Sequence, residues 1–233
     1  MVKYSHLARR AVFTRGRTGE ELAQRAPRSQ LREANERTLL AAAEAVFAER
    51  GFDGATTAEI AARAGVPKSN LHYYFPTKET LYRAVVSRIL TLWLAAAESF
   101  DSADDPRVAL AAYIGAKMDL SREMPQGARV WASEIMRGAP IIRDFLDTTL
   151  THWVESRGKI IRKWIAECKL RPIEPKTLFY LIWAATQHYA YAAHEIAALN
   201  GGAALSDSQF AAAKRQLTAM VLDGVAPEAA RKR

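Results

Sequence analysis

The stretch Thr56–Leu81, TTAEIAARAGVPKSNLHYYFPTKETL, decides the fold. It reads as two short helices joined by a tight turn, with a third, longer helix starting just after. Thr56 is placed to accept from the backbone N–H three residues on, and Glu59 to reach back, which is a capping box. Ile60, Ala61 and Ala64 give the first helix one small apolar face. Gly65 suits the left-handed position that ends a helix, and Val66-Pro67 leads into the next start. Lys68–Tyr74 is short, polar and aromatic. It stops before Phe75-Pro76, and Thr77 caps the longer third helix. Two helices around a glycine-containing turn form a helix-turn-helix.

The second helix carries hydrogen-bonding groups on a frame too short to bury much. Leu71 and Phe75, four apart, are expected to hold it to the body behind. In a helix-turn-helix the second helix enters the DNA major groove with its N-terminal residues at base edges. Lys donates to guanine, Asn bonds adenine bidentately, and Ser and Tyr hydroxyls reach bases or phosphates. The expected DNA-facing set is Thr57, Lys68, Ser69, Asn70, His72, Tyr73 and Tyr74, with Lys78 meeting a phosphate from the positive start of the next helix. The wording AEIAARAGVPKSNLHYYFPTKETL, with its YYF-P-T-K run, resembles the DNA-binding signature of TetR-family transcriptional repressors. That resemblance implies an all-α regulator acting as a dimer on a palindromic operator in double-stranded DNA.

The charge fits this reading. The chain has 233 residues and a formal charge of +8. Residues 1–37 hold nine Lys/Arg against four Asp/Glu, an excess of +5, while residues 86–233 carry only +3. A basic arm ahead of a helix-turn-helix points to a polyanion. A sequence-independent architectural DNA protein would be basic throughout, so that alternative fits poorly. Hydrophobic residues make up 49% of the chain, enough for a core without staples. The one cysteine, Cys168, excludes an intrachain disulfide framework and fits a reducing cytoplasm. It is expected to be a buried or half-buried thiol, its function open. The N-terminus lacks the apolar region of a signal peptide. The longest near-apolar stretch, Ile89–Ala97, is about half a membrane span, so no membrane partner is expected and the location is cytoplasmic.

Residues 1–32 read as a mobile basic arm, either tracking DNA or a tail without consequence. Helical period begins at Asn35: Leu39, Leu40, Ala43, Val46 and Phe47 share one side until Gly51. Residues 33–80 are then the DNA-binding domain, and 81–233 a ligand-binding and dimerisation domain. A single helix is expected from Lys78 to about Phe100, with Leu81, Val85, Ile89, Leu92 and Trp93 as its apolar stripe. Later helices are expected from Pro106 to about Arg122, from Ala128 to Met136, and from Pro140 to about Lys169. Two more run from Lys176 to Leu199 and from Phe210 to Val221. Asp105 caps the first of these, Gly138 and Asn200-Gly201-Gly202 are breaks, and Ser206 with Gln209 forms a capping box. The fold class is all-α, about nine helices.

An enzyme is disfavoured: there is no Gly-rich phosphate loop, no HExxH and no His pair at i, i+4, so no catalytic or metal-ligating residue and no cofactor is assigned. The body instead suits two roles. Broad apolar faces on the last two helices can pair with symmetry mates into a four-helix bundle, as the family resemblance also implies. The five Trp residues all lie beyond the reading head, and aromatic walls with a few polar groups make a pocket for a planar ligand. Gln187 lies one turn beyond Trp183, and its amide suits a lactam or imide edge. A core Trp with a Gln bonded to backbone is the plainer alternative. The segments LYRAVVSRILTLWL, RVWASEIM and IWAATQHYA resemble pyrimidine-utilisation regulators of the same family. This implies a small effector such as uracil or thymine, held by Trp93, Trp183 and Gln187, that weakens DNA binding. Trp131 and Glu134 are added as candidate lining groups. Trp131-Ala132-Ser133 departs from the pattern, so a different small apolar or aromatic effector stays open.

Overall fold

The structure is a computed structural model in which residues 28–227 are described. The chain divides into two units between Arg37 and Thr38. The expected arm lies almost wholly outside the described residues. Among the described residues, all regular structure is helical, as the sequence implied.

Helix α1, Arg28–Gly54, starts earlier than Asn35. Its first turns, RSQLREA, are good helix formers but present no apolar period. Leu39, Ala43, Val46 and Phe47 are buried, and Gly51 breaks the helical geometry at φ 68°. Helices α2, Thr57–Arg63, and α3, Lys68–Tyr74, come next. Gly65 takes φ +69°, and Val66 N–H reaches Ala61 O at 3.0 Å while Gly65 N–H reaches Ala62 O at 3.1 Å. That pair of bonds is a Schellman ending. Helix α4 is Lys78–Ala95.

This fourth helix ends short of Phe100. The chain turns at Ala96–Glu98 and a single-turn α5, Ser99–Ser102, buries Phe100 between Tyr113, Trp164 and Phe179. Leu92, expected in the apolar stripe, is 38% exposed. Helix α6, Pro106–Glu123, matches its expected place, with Asp105 capping it at 2.8 Å, while α7, Pro125–Met136, starts three residues before the expected Ala128, with Pro125 at its first turn. The expected long helix from Pro140 is instead a short α8, Arg143–Phe145, a widened π turn, Leu146–Leu150, and α9, Thr151–Ala166. Thr148 Oγ1 donates to Asp144 O at 2.7 Å and Thr151 Oγ1 to Leu146 O at 2.9 Å, taking up carbonyls that the wider turn frees. Cys168, just past α9, sits exposed at φ 56° rather than buried, because the helix there reverses through a left-handed residue. The expected Lys176–Leu199 helix is split at Ala192 into α10, Pro175–Tyr191, and α11, Ala193–Leu199. No proline or glycine marks that break. The last helix, α12, is Asp207–Val225 and carries the Ser206–Gln209 capping box.

Two apolar cores organise these helices. One gathers α1 to α4 with α7, around Phe47, Leu71, Leu81 and Tyr82. The other gathers α6, α9, α10 and α12, around Tyr113, Ile114, Trp164 and Phe179. No helix among the described residues is long and apolar enough to cross a membrane.

Candidate nucleic-acid interface and effector cavity

The helix-turn-helix is built by short-range bonds. Thr56 Oγ1 accepts from Glu59 N–H at 3.1 Å, but the Glu59 carboxylate pairs with Arg50 Nε at 3.5 Å rather than closing the capping box. Arg63 meets Glu49 bidentately at 2.6 and 2.8 Å, bracing α2 against α1 and holding the Glu49 carboxyl below its usual range. Ile60, Ala61, Leu71 and Phe75 are buried beneath the pair. This anchoring leaves α3 to face outward along its polar side.

The eight expected DNA-facing residues fall into distinct settings. Lys68 and Ser69 are exposed at the first turn of α3, Asn70 and Thr57 are half-buried, and Tyr73 is 71% exposed. Tyr74 stands edge-on to Tyr73, ring centroids 5.3 Å apart. His72 Nδ1 lies 3.3 Å from Pro76 O; a carbonyl only accepts, so Nδ1 carries the proton in that bond. Lys78 is differently placed. Its Nζ donates to Asp53 O at 3.3 Å and Ala55 O at 3.0 Å, and lies 4.6 Å from the Phe52 ring centroid. Two of its three donors thus close the end of α1. Thr77 caps α4 through a reciprocal pair with Thr80, a partner the sequence reading did not assign.

The second site lies where the two cores meet. Trp93 from α4, Trp131 from α7, and Trp183 and Gln187 from α10 line one cavity of about 50 Å³. Trp93 and Trp131 belong to the core of the reading head, and Trp183 packs against the core of the body. The Trp93 and Trp131 rings meet edge to face at 5.6 Å. Trp183 Nε1 donates to Tyr113 Oη at 2.6 Å, so its donor is already engaged. Burial pushes the Tyr113 phenol well above its ordinary range. Ser121 Oγ, 2.9 Å from Lys117 O and 2.8 Å from Thr186 O, ties α6 to α10 beside the cavity.

Glu134, expected at this cavity, does not line it. It is fully buried on another side of α7, where its Oε1 accepts from Ile141 N–H at 2.8 Å. The reason is register: Trp131 and Glu134 sit on neighbouring but different faces of α7, and the loop after Gly138 folds over the second. Besides Leu90, Leu94 and Leu150, the lining includes two polar residues that were missed, Tyr113 and Lys117. They stand four apart on α6 in step with Ala109 and Leu110, so a lysine on an apolar stripe was the available signal. No cluster of His, Cys, Asp and Glu suited to a metal is present among the described residues.

Residues 39–85 match the family model "Bacterial regulatory proteins, tetR family", and residues 86–228 match "YcdC-like protein, C-terminal region". The chain is 36% identical over 200 residues to the HTH-type transcriptional regulator RutR of Escherichia coli K12, covering 86% of this chain and 94% of that one. Among solved structures, a TetR family transcription regulator from Marinobacter aquaeolei VT8 aligns with a TM-score of 0.68 at 18% identity, over 86% of this chain and all of that one. A transcriptional regulator of Streptomyces coelicolor aligns with a TM-score of 0.63 at 25% identity, over 82% and 98%. The helix-turn-helix, the helical body behind it and these matches together make the chain a member of the TetR family of bacterial transcriptional regulators, related to RutR.

Proposed function

We propose that the protein is a dimeric repressor whose operator affinity falls when a small planar effector, a pyrimidine such as uracil or thymine, enters the tryptophan-lined cavity. The observation that carries this reading is the convergence of Trp93, Trp183 and Gln187 on one cavity. Two indole faces suit a flat ring, and the Gln187 amide offers a donor pair and an acceptor to a lactam or imide edge. Thr57, Lys68, Ser69, Asn70, His72, Tyr73 and Tyr74 supply the DNA contacts, with Lys78 adding at most one donor to a phosphate. Residues 33–80 serve as the reading domain and 81–233 as the ligand and dimer domain. The segment around IWAATQHYA supports the pyrimidine assignment. The relatives and fold neighbours are regulators, and no enzymatic step is assigned.

Coupling arises from connectivity. Helix α4 begins beside α3 and contributes Trp93 to the cavity, at 18 residues spanning about 27 Å. A ring inserted between Trp93 and Trp131 must move one of them, because the cavity is about a third of the ~150 Å³ known to admit benzene. Movement of α4 changes the spacing of two reading heads in a dimer. A coupling of about 1–3 kcal/mol, roughly 5–150-fold in operator affinity, is the ordinary size. A second reading, a different small apolar or aromatic effector, is favoured by the Trp131 ring lining the cavity beside Trp93.

Calorimetry with uracil and thymine on the wild type and on Gln187→Ala tests the proposal. The wild type is expected to bind one base and release its operator, and the variant to bind at least about tenfold more weakly (~1.4 kcal/mol). No heat with either base rules out the pyrimidine while leaving the regulator.

A further inference from the structure

Lys117 is the unusual member of the cavity. It lies on α6 in the middle of the apolar stripe and is only 3% exposed. Its Nζ stands 4.2 Å from the centroid of the Trp93 ring, so the ammonium lies against that indole in the cavity wall. Among the described residues it has no hydrogen bond to its Nζ and no carboxylate partner, and the cavity lining contains no acidic side chain. The other titratable lining group, Tyr113, already accepts from Trp183. A ring face is weak compensation for a buried ammonium. Burial pulls the amine down to about 7, as expected for a lysine lacking a counter-charge.

A lysine held this way in a binding cavity has a use if the missing charge arrives with the ligand. We infer that Lys117 is an anion-binding group and that the effector is a planar ring bearing a carboxylate. The ring lies against Trp93 and Trp183, the Gln187 amide reads its neutral polar edge, and the anionic oxygen accepts from Lys117 Nζ. The inference deepens the proposed effector function and rests on it. It also makes the ligand selective: a neutral ring of the same shape leaves the ammonium uncompensated, whereas an anion relieves it.

Calorimetry on the full chain with three probes tests it: uracil, orotate (the same ring bearing a carboxylate) and benzoate (a carboxylate without the pyrimidine edge). In the wild type, at least one carboxylate is expected to bind tenfold or more tightly than uracil. In Lys117→Met, one atom shorter and uncharged, that preference for a carboxylate over uracil is expected to vanish. Gln187→Ala keeps the lysine and is expected to weaken orotate more than benzoate. If uracil outcompetes both carboxylates, or Lys117→Met retains the preference, the anionic assignment is wrong and the neutral effector reading stands. If benzoate binds and both pyrimidines fail, the pyrimidine is wrong and the anion site survives. Failure of all three overturns both. Should Lys117→Met not fold, the wild-type ranking of the three probes decides alone.

Discussion

Lys68 and Lys78 were both expected to face DNA, and their surroundings separate them. Lys68 is exposed at the first residue of α3, while Lys78 is half-buried and closes the carbonyl end of α1 over Phe52. Asn70→Ala and Lys68→Ala should each cost about 1–3 kcal/mol in affinity for a selected operator, with little change in melting temperature. Lys78→Ala should instead lower the melting temperature by several degrees, since hydrogen bonds from a charged group contribute about 1.5–3 kcal/mol when partly buried. Operator titrations and thermal melts on the same three variants check this. A Lys78→Ala protein with an unchanged melting temperature and a reduced salt slope would return that ammonium to the DNA face. The contrast was not legible beforehand. The carbonyls that engage Lys78 come from the kinked end of α1, and only the fold brings them within reach.

At the level of elements, the helix ends that carry their own signal are where the sequence puts them. The α2–α3 turn is the clearest: Gly65 at φ +69° closes a Schellman ending, and a Cβ there would meet nothing within 4 Å. Gly65→Ala is therefore expected to cost only left-handed strain, about 1–2 kcal/mol, read as a lower urea midpoint with an unchanged slope. A neutral substitution would mean the turn does not hold this conformation in solution. Gly127 is a different case. A Cβ there would come within 3.1 Å of Ile89 Cγ1 and 3.2 Å of Glu44 Oε1, so the glycine serves the close approach of α7 to α1 and α4. Burial raises the pKa of the same Glu44 carboxylate despite Arg88 nearby. The early end of α4, the π turn and the split at Ala192 have no such local marker. They come from packing: Phe100 must turn inward, and threonine hydroxyls absorb the freed carbonyls.

For the whole molecule, the proposed coupling runs through the cavity at the seam of the two cores. Within the first core, Arg137 of α7 pairs with Asp53 of α1 at 3.1 Å, and Arg83 of α4 meets both Asp144, at 2.6 Å, and Ile141 O. The proposed dimer uses the faces left uncovered on α10 and α12, where Tyr180, Leu181 and Met220 are each more than half exposed. Sedimentation at micromolar concentration should report twice the 25.8 kDa chain mass, and Leu181→Glu should shift it toward a single chain. A wild-type monomer under those conditions would rule out the four-helix interface.

The sequence by itself determined the helical class, the capped and punctuated α2–α3–α4 run and the polar, aromatic character of α3. Each of these rests on interactions within about four residues, which chain order alone specifies. It also placed Trp93, Trp183 and Gln187 on suitable faces. Only the tertiary structure decided that α4, α6, α7 and α10 enclose one cavity, that Glu134 faces away from it, and that Lys117 joins its wall. Burial of a charged side chain depends on which distant helices cover it, and no local pattern encodes that.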